Sequence, residues 1–245
     1  MRTIQAEAEL HSKKHMAEMK NRTYGDQLRH YKQLYRQHKG TPMAVSSESL
    51  QHKKLRFHML SGILDSTQPF SVHDVGMGVG ALNDFFIDNF GSGYVEYSGT
   101  EVLQDYVDEA RARFPQSTFY CRDLAEEVVS EEYDYTMLSG VFHQRRNSKI
   151  LDWENFSLML LSNSFKMCKR GMAFNLISPY VDFYQTEVYY ANIQKYLNFI
   201  VSDLSRFFEI HHNYALFEMT IFVYKEEYIK SNHPESEFQK YFSQG

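Results

Sequence analysis

Three glycines in five residues constrain this chain more than any other feature. They lie in His73-Asp74-Val75-Gly76-Met77-Gly78-Val79-Gly80, between a β-rich run at 70–75 and a helical pattern at about 80–90. Glycines at 76, 78 and 80 let the backbone turn tightly and approach a ligand with no Cβ in the way. The helix that follows offers free N–H groups and the positive end of its dipole to the same ligand. A glycine run alone can be an ordinary turn. A strand, a tight turn and a helix in succession point instead to a mostly parallel sheet covered by helices. The dinucleotide pattern G-x-G-x-x-G is not met, because Asn83 stands where its third small residue belongs.

The rest of the chain follows the same alternation. Further β-rich runs fall at 94–100, 118–121, 133–138 and 172–177, with helical patterns at about 102–113, 152–168 and 190–205. The last two runs, 207–214 and 217–224, lack a long helix between them and predict an antiparallel hairpin at one sheet edge. Residues 1–66 read differently, as a helical lid or arm in three pieces: 4–20, a helix beginning near Tyr24, and 47–64. In the second piece Tyr24, Leu28, Tyr31 and Tyr35 share one face, Thr23 is a candidate N-cap, and Gly40 with Pro42 is a stop signal. A serine at 46 or 47 can cap the third. The expected organisation is the helical lid over 1–66, the sheet domain over 67–226 and a polar, loosely held tail over 227–245.

Four places carry the chemistry. Asp74 and the glycines form the first. The second is Gly99-Thr100-Glu101, which closes a strand 21 residues beyond Gly80. An acid there can accept both hydroxyls of a ribose, or favour the dipole of the following helix; the glycine loop at this distance favours the ribose. The third is Asp123, after the third strand, where a carboxylate can accept from an adenine amino group or cap a helix. The fourth is the loop from Ser139 to His143, at the carboxyl end of a strand, where open α/β sheets bind ligands.

In order and spacing these segments resemble the class I S-adenosyl-L-methionine (SAM)-dependent methyltransferases, over about residues 50–225. The weakest match is Lys169-Arg170-Gly171, which lacks the proline and second glycine of the family's turn before strand five. The resemblance implies an α/β fold, a Rossmann-like, mostly parallel seven-stranded sheet with an antiparallel last strand, and SAM as cofactor. It places Gly76 and Gly78 against the amino-acid arm of SAM, Glu101 at its ribose, Asp123 with Leu124 at its adenine, and Ser139 near its reactive end. Arg56, on the helix before strand one, is a candidate for the SAM carboxylate or an ordinary surface arginine.

Methyl transfer is an in-line displacement that proximity can accelerate greatly. A base is needed only where the nucleophile keeps its proton. His143 is the candidate base by position, and Tyr180 is a second catalytic candidate. The segment after strand five and the tyrosine-rich helix are expected to build an aromatic acceptor pocket. That makes Tyr24, Tyr31, Tyr35 and Asp182 the expected substrate contacts. The same fold could instead cyclise or cleave the aminobutyrate arm of SAM and release methylthioadenosine.

Composition narrows the partners. Residues 1–60 hold 12 Lys/Arg against 5 Asp/Glu, whereas the whole chain carries a net charge of −5. The basic residues are scattered and form no dense block, so a small-molecule substrate is expected rather than a nucleic acid. No run of apolar residues spans a membrane, and residues 1–20 are charged throughout without a signal-peptide core. Cys121 and Cys168 match no metal spacing and read as reduced thiols. No metal site is expected. Cytoplasmic location and a role in specialised metabolism are the matching expectations; oligomeric state and acceptor identity are not encoded in any motif.

Overall fold

The computed structural model describes residues 23–39 and 49–242. The helix expected at 4–20, the Gly40–Pro42 stop and the serines at 46 and 47 lie outside the described residues. Seven strands form one sheet: β1 (Phe70–Val75), β2 (Val95–Glu101), β3 (Thr118–Cys121), β4 (Tyr133–Leu138), β5 (Cys168–Ile177), β6 (Phe208–His211) and β7 (Glu218–Tyr224). Their order across the sheet is β3-β2-β1-β4-β5-β7-β6. Strands β1 to β5 pair in parallel, and β7 pairs antiparallel with both β5 and β6. The reversed strand is therefore interior, and β6 closes the edge.

Helices α1 (Gly25–His38) and α2 (Leu50–Ser61) precede the sheet. Helices α3 (Ala81–Phe90), α4 (Gln104–Arg113), α5 (Ile150–Lys166) and α6 (Ile193–Phe199) connect its strands, and α6 runs on into a π turn at Ile200–Leu204. The chain between β3 and β4 forms no helix. One core, with Phe57, Leu60, Phe86, Val107, Tyr97, Tyr135, Met137 and Phe222, joins α2, α3 and α4 to one face of the sheet. The second, with Trp153, Leu161, Phe165, Tyr196, Leu138, Phe174 and Ile221, joins α5 and α6 to the other. Burying each such side chain stabilises the fold by roughly 1.5–3 kcal/mol, which is why α2 belongs to the sheet layer although it lies in the N-terminal region.

The helix starts differ from the expected caps. Ser49 caps α2 by accepting the His52 N–H at 3.2 Å. Helix α1 starts after Tyr24 with no side-chain cap, and the carbonyl of Thr23 is taken by the Ser148 hydroxyl. The described part of the segment expected as a loose tail carries regular structure. It forms α7 (Glu226–Asn232) and a 3₁₀ turn (Ser236–Tyr241), and Phe242 is buried against Phe207.

Candidate active site

The carboxyl ends of β1 to β4 open into one cavity, with α1 across its mouth. Sheet order explains the position: the chain leaves β1 toward β2 on one side and returns to β4 on the other, so their loops diverge. Asp74, Gly76, Gly78, Glu101, Asp123, Leu124, Ser139 and His143 all line this cavity. Eight expected residues from four separate segments are thus brought together.

The first turn depends on glycine. Gly76 has φ +74°, and a Cβ there would stand 2.7 Å from Val141 Cγ2. Gly80 has φ +79° and starts α3 from the left-handed region. A side chain at either would be strained; at Gly76 it would push the β1 and β4 loops apart, and at Gly80 it would press on Phe114. Beside the turn, Asp74 is buried. Its Oδ2 accepts from the Tyr97 hydroxyl at 2.7 Å, while Oδ1 is buried with no hydrogen-bond partner. Burial raises this carboxyl to about 7, against the opposing pull of the Tyr97 hydrogen bond. A carboxylate held this way can pair with a cation arriving in the cavity.

Neighbouring His73 points to the other face. Its ring nitrogens bond Ser98 Oγ at 2.7 Å and Thr100 Oγ1 at 2.8 Å, and burial pushes it down to about 3, leaving it neutral. Glu101 is aimed by backbone. It accepts from Val102 N at 2.7 Å, Gly78 N at 3.1 Å and Leu103 N at 3.2 Å. Burial raises its pKa against those three bonds. Oε1 takes two of these bonds and Oε2 one, which leaves Oε2 an acceptor site for a ligand hydroxyl.

Helix α1 is tied to the loops it covers. Tyr24 donates to Asp123 Oδ2, Gln27 Nε2 donates to the Val141 carbonyl at 3.2 Å, and Tyr106 donates to the Tyr31 carbonyl at 3.1 Å. Burial, then the Asp123 carboxylate, push the Tyr24 hydroxyl well above its usual range, so it remains a donor. A hydrogen bond to a charged group contributes roughly 1.5–3 kcal/mol. Tyr24→Phe should therefore speed hydrogen exchange of the α1 amides by about tenfold or more; unchanged exchange would remove this latch.

Several expected residues lie elsewhere. Tyr180 is 75% exposed, and Asp182 is exposed too; neither reaches the cavity. Their loop is turned toward the β6–β7 end, where Ser178 N donates to the Phe217 carbonyl and Phe183 packs edge-on to Phe217. Tyr35 is buried in a small cluster with Tyr106, Val79 and Leu103 and is a core residue, not a cavity-lining one. Tyr24 and Tyr31 do line the cavity. Arg56 also lines it but donates Nε and Nη2 to Glu218 at 2.9 and 2.5 Å. The expected role at a cofactor carboxylate thus meets a competing internal partner.

His143 is buried in the cavity wall. Its Nε2 lies 3.0 Å from Asn175 Nδ2 and its Nδ1 lies 3.9 Å from Glu218 Oε1. Trp153 of α5 donates to the Phe142 carbonyl at 3.1 Å and so anchors this loop from the other side. Sequence reasoning missed Gln27, Lys53 and Arg122 in the cavity lining, and Asn175 and Glu218 behind it. The last two carried a visible signal, a polar side chain within apolar strands.

No family model matches the chain. A Mycobacterium tuberculosis (strain ATCC 25618 / H37Rv) protein named "Putative methyltransferase Rv1506c" is 30% identical over 168 residues, covering 66% of this chain and 98% of that protein. The chain belongs to the class I SAM-dependent methyltransferases. Solved structures share the methyltransferase fold. Magnesium protoporphyrin IX methyltransferase from Synechocystis PCC 6803 with bound SAH aligns with TM-score 0.53 and 12% identity, over 84% of this chain and 96% of that one. Human N-acetylserotonin methyltransferase in complex with SAM aligns with TM-score 0.52 and 19% identity, over 71% and 54%. N-methyltransferase NodS from Bradyrhizobium japonicum WM9 aligns with TM-score 0.51 and 10% identity, over 72% and 98%.

The methyltransferase cavity fits SAM on its own observations. The unpartnered Asp74 oxygen suits a cationic ligand, Gly76 and Gly78 line the cavity with bare backbone, and Glu101 presents an acceptor one strand away. Among the described residues no group of His, Cys, Asp and Glu could hold a metal ion, and no helix is long and apolar enough to cross a membrane.

Proposed function

We propose that this methyltransferase transfers the methyl group of SAM to a small-molecule acceptor bound beneath α1. The observation that carries the reading is the convergence of Asp74, Glu101, Asp123 and the Ser139–His143 loop on one roofed cavity. A cavity crossed by a helix admits a compact acceptor more readily than a polymer.

Bound SAM supplies a methyl group on a sulfonium, open to in-line displacement. The chain's own residues bind and orient. Asp74 holds the cationic end of the amino-acid arm beside Gly76 and Gly78. Glu101 accepts from a ribose hydroxyl through Oε2, and Asp123 with Leu124 meets the adenine. Tyr24 bonds the same Asp123 carboxylate, so α1 senses the adenine subsite. Ser139 and Gly140 border the reactive end, while Tyr24 and Tyr31 with Phe156 and Leu160 offer the acceptor an aromatic and apolar surface. Excluding water and fixing the angle of approach is the main catalytic work, and such positioning can supply roughly 7–11 kcal/mol of a barrier.

Titration calorimetry with SAM, followed by chromatography of the mixture, tests this reading. We expect binding with SAM intact, then S-adenosylhomocysteine once an acceptor from a small-molecule panel is added. Absence of binding would overturn the proposal. Methylthioadenosine released without acceptor would show that SAM itself is consumed, a reading the methyltransferase relative does not support.

A further inference from the structure

Asn175 and Glu218 are buried beside His143 and belong to none of the cofactor motifs. The Asn175 amide has a determined orientation. Its Oδ1 accepts the Gly140 N–H at 2.8 Å, and a backbone N–H can only donate. Its Nδ2 hydrogens then go to Glu218 Oε2 at 2.5 Å and His143 Nε2 at 3.0 Å. A neutral imidazole accepts only at its unprotonated nitrogen. The proton of His143 is therefore on Nδ1, the nitrogen 3.9 Å from Glu218 Oε1. Glu218 is itself fixed by two donors of Arg56. Among the described residues, the charged groups near His143 include Glu218 of β7 and Arg56 of α2, whose guanidinium borders Gly140 together with the His143 ring.

We propose that Asn175 and Glu218 are positioning residues that lock His143 as its Nδ1-protonated tautomer and so hold the Ser139–His143 loop in place. The Nε2 lone pair is occupied, so His143 does not serve as the acceptor's base. Protonating Nε2 would set two donors face to face. The Asn175 amide would have to turn and release the Gly140 N–H. The catalytic loop is thereby coupled to a single protonation state, and the acceptor is one whose nucleophile is neutral without help from this histidine. The significance for catalysis rests on the methyltransferase reading; the tautomer does not.

The test is ¹⁵N NMR of the histidine side chains in the full chain at neutral pH, with His143→Gln used to assign the resonance. We expect Nε2 unprotonated and Nδ1 protonated. An Nε2-protonated tautomer, or an imidazolium, would overturn the proposal. In Asn175→Ala, the His143 signals should move to values averaged between tautomers, and an unchanged tautomer there would remove Asn175 from the role. If that variant does not fold, the wild-type spectrum still decides. SAM titration of the same wild-type sample separates the two readings: lost binding would count against the function, and a wrong tautomer against the lock alone.

Discussion

Replacing Asp74 with asparagine should weaken SAM binding by about 100-fold, or ~3 kcal/mol, the usual cost of removing one partner from a buried charge pair. Asparagine keeps an oxygen for the Tyr97 hydroxyl, so the hydrogen bond at 2.7 Å survives. What is lost is the negative charge beside the glycine turn. The sign for the free protein is opposite. Burial raises the Asp74 carboxyl to about 7 from 3.8. Stability from a carboxyl raised in the fold is complete below its unfolded pKa and is lost as pH rises through the folded one. At pH 8 the unliganded wild type carries that cost and the asparagine variant does not. Its melting temperature should be unchanged or higher while its affinity falls. Wild-type affinity should also decline as pH drops below 7, approaching tenfold per unit as Asp74 takes up a proton, and the variant should lack this slope. Calorimetry across pH 5.5–7.5 reads both. Equal affinities, or a flat wild-type profile, would take Asp74 out of the cofactor site.

The same residues show why part of the site was legible in the sequence. Asp74, Gly76, Gly78, Glu101, Asp123 and the Ser139–His143 loop are each tied to a strand end, and the period of the strands places strand ends well. β1, β3 and β4 begin and end where the apolar pattern does. The substrate side was read less well because it is built from long-range packing. Tyr35 and Tyr31 share a helical face, yet Tyr35 turns into a core against Tyr106, their rings 5.2 Å apart, and Tyr31 faces the cavity. Tyr180 and Asp182 were placed by the position of their loop after β5, whereas the loop's direction is set by its bond to Phe217. The hairpin after α6 stands at the sheet edge as its sequence implied; within it β7 pairs with β5 along Gly171 to Ile177 and is buried along nearly its whole length, which leaves β6 outermost. The C-terminal turn was missed because Ile229, Phe238 and Phe242 are scattered through a polar stretch.

Glu218→Gln should destabilise the fold by about 3–5 kcal/mol, since it leaves the buried Arg56 guanidinium without a compensating charge. For a chain of this size that is a fall in melting temperature of roughly 10 °C. Both side chains are more than nine-tenths buried, so water cannot replace the lost carboxylate. Burial alone would raise the Glu218 pKa. The His143 ring beside it, the hydrogen bond and charge of Arg56, and the Asn175 amide outweigh it, and the carboxyl falls to about 2 from 4.5. A carboxyl depressed in the fold contributes stability above its unfolded pKa and loses it as pH falls through the folded one. The gap between wild type and Glu218→Gln should therefore be widest near pH 7 and narrow between pH 4.5 and 2, which thermal melts at several pH values would measure. A gap independent of pH would mean that the loss comes from shape and not from charge. Removing the arginine as well should recover much of the deficit, because a buried ion pair is often worth little more than apolar side chains of similar volume. The recovery should stay incomplete in Arg56→Met/Glu218→Met. Asn175 Nδ2 would then lose its acceptor at Glu218 Oε2, leaving a buried N–H without a partner and costing about 1–3 kcal/mol. Full recovery would mean that the Asn175–Glu218 bond adds nothing to stability.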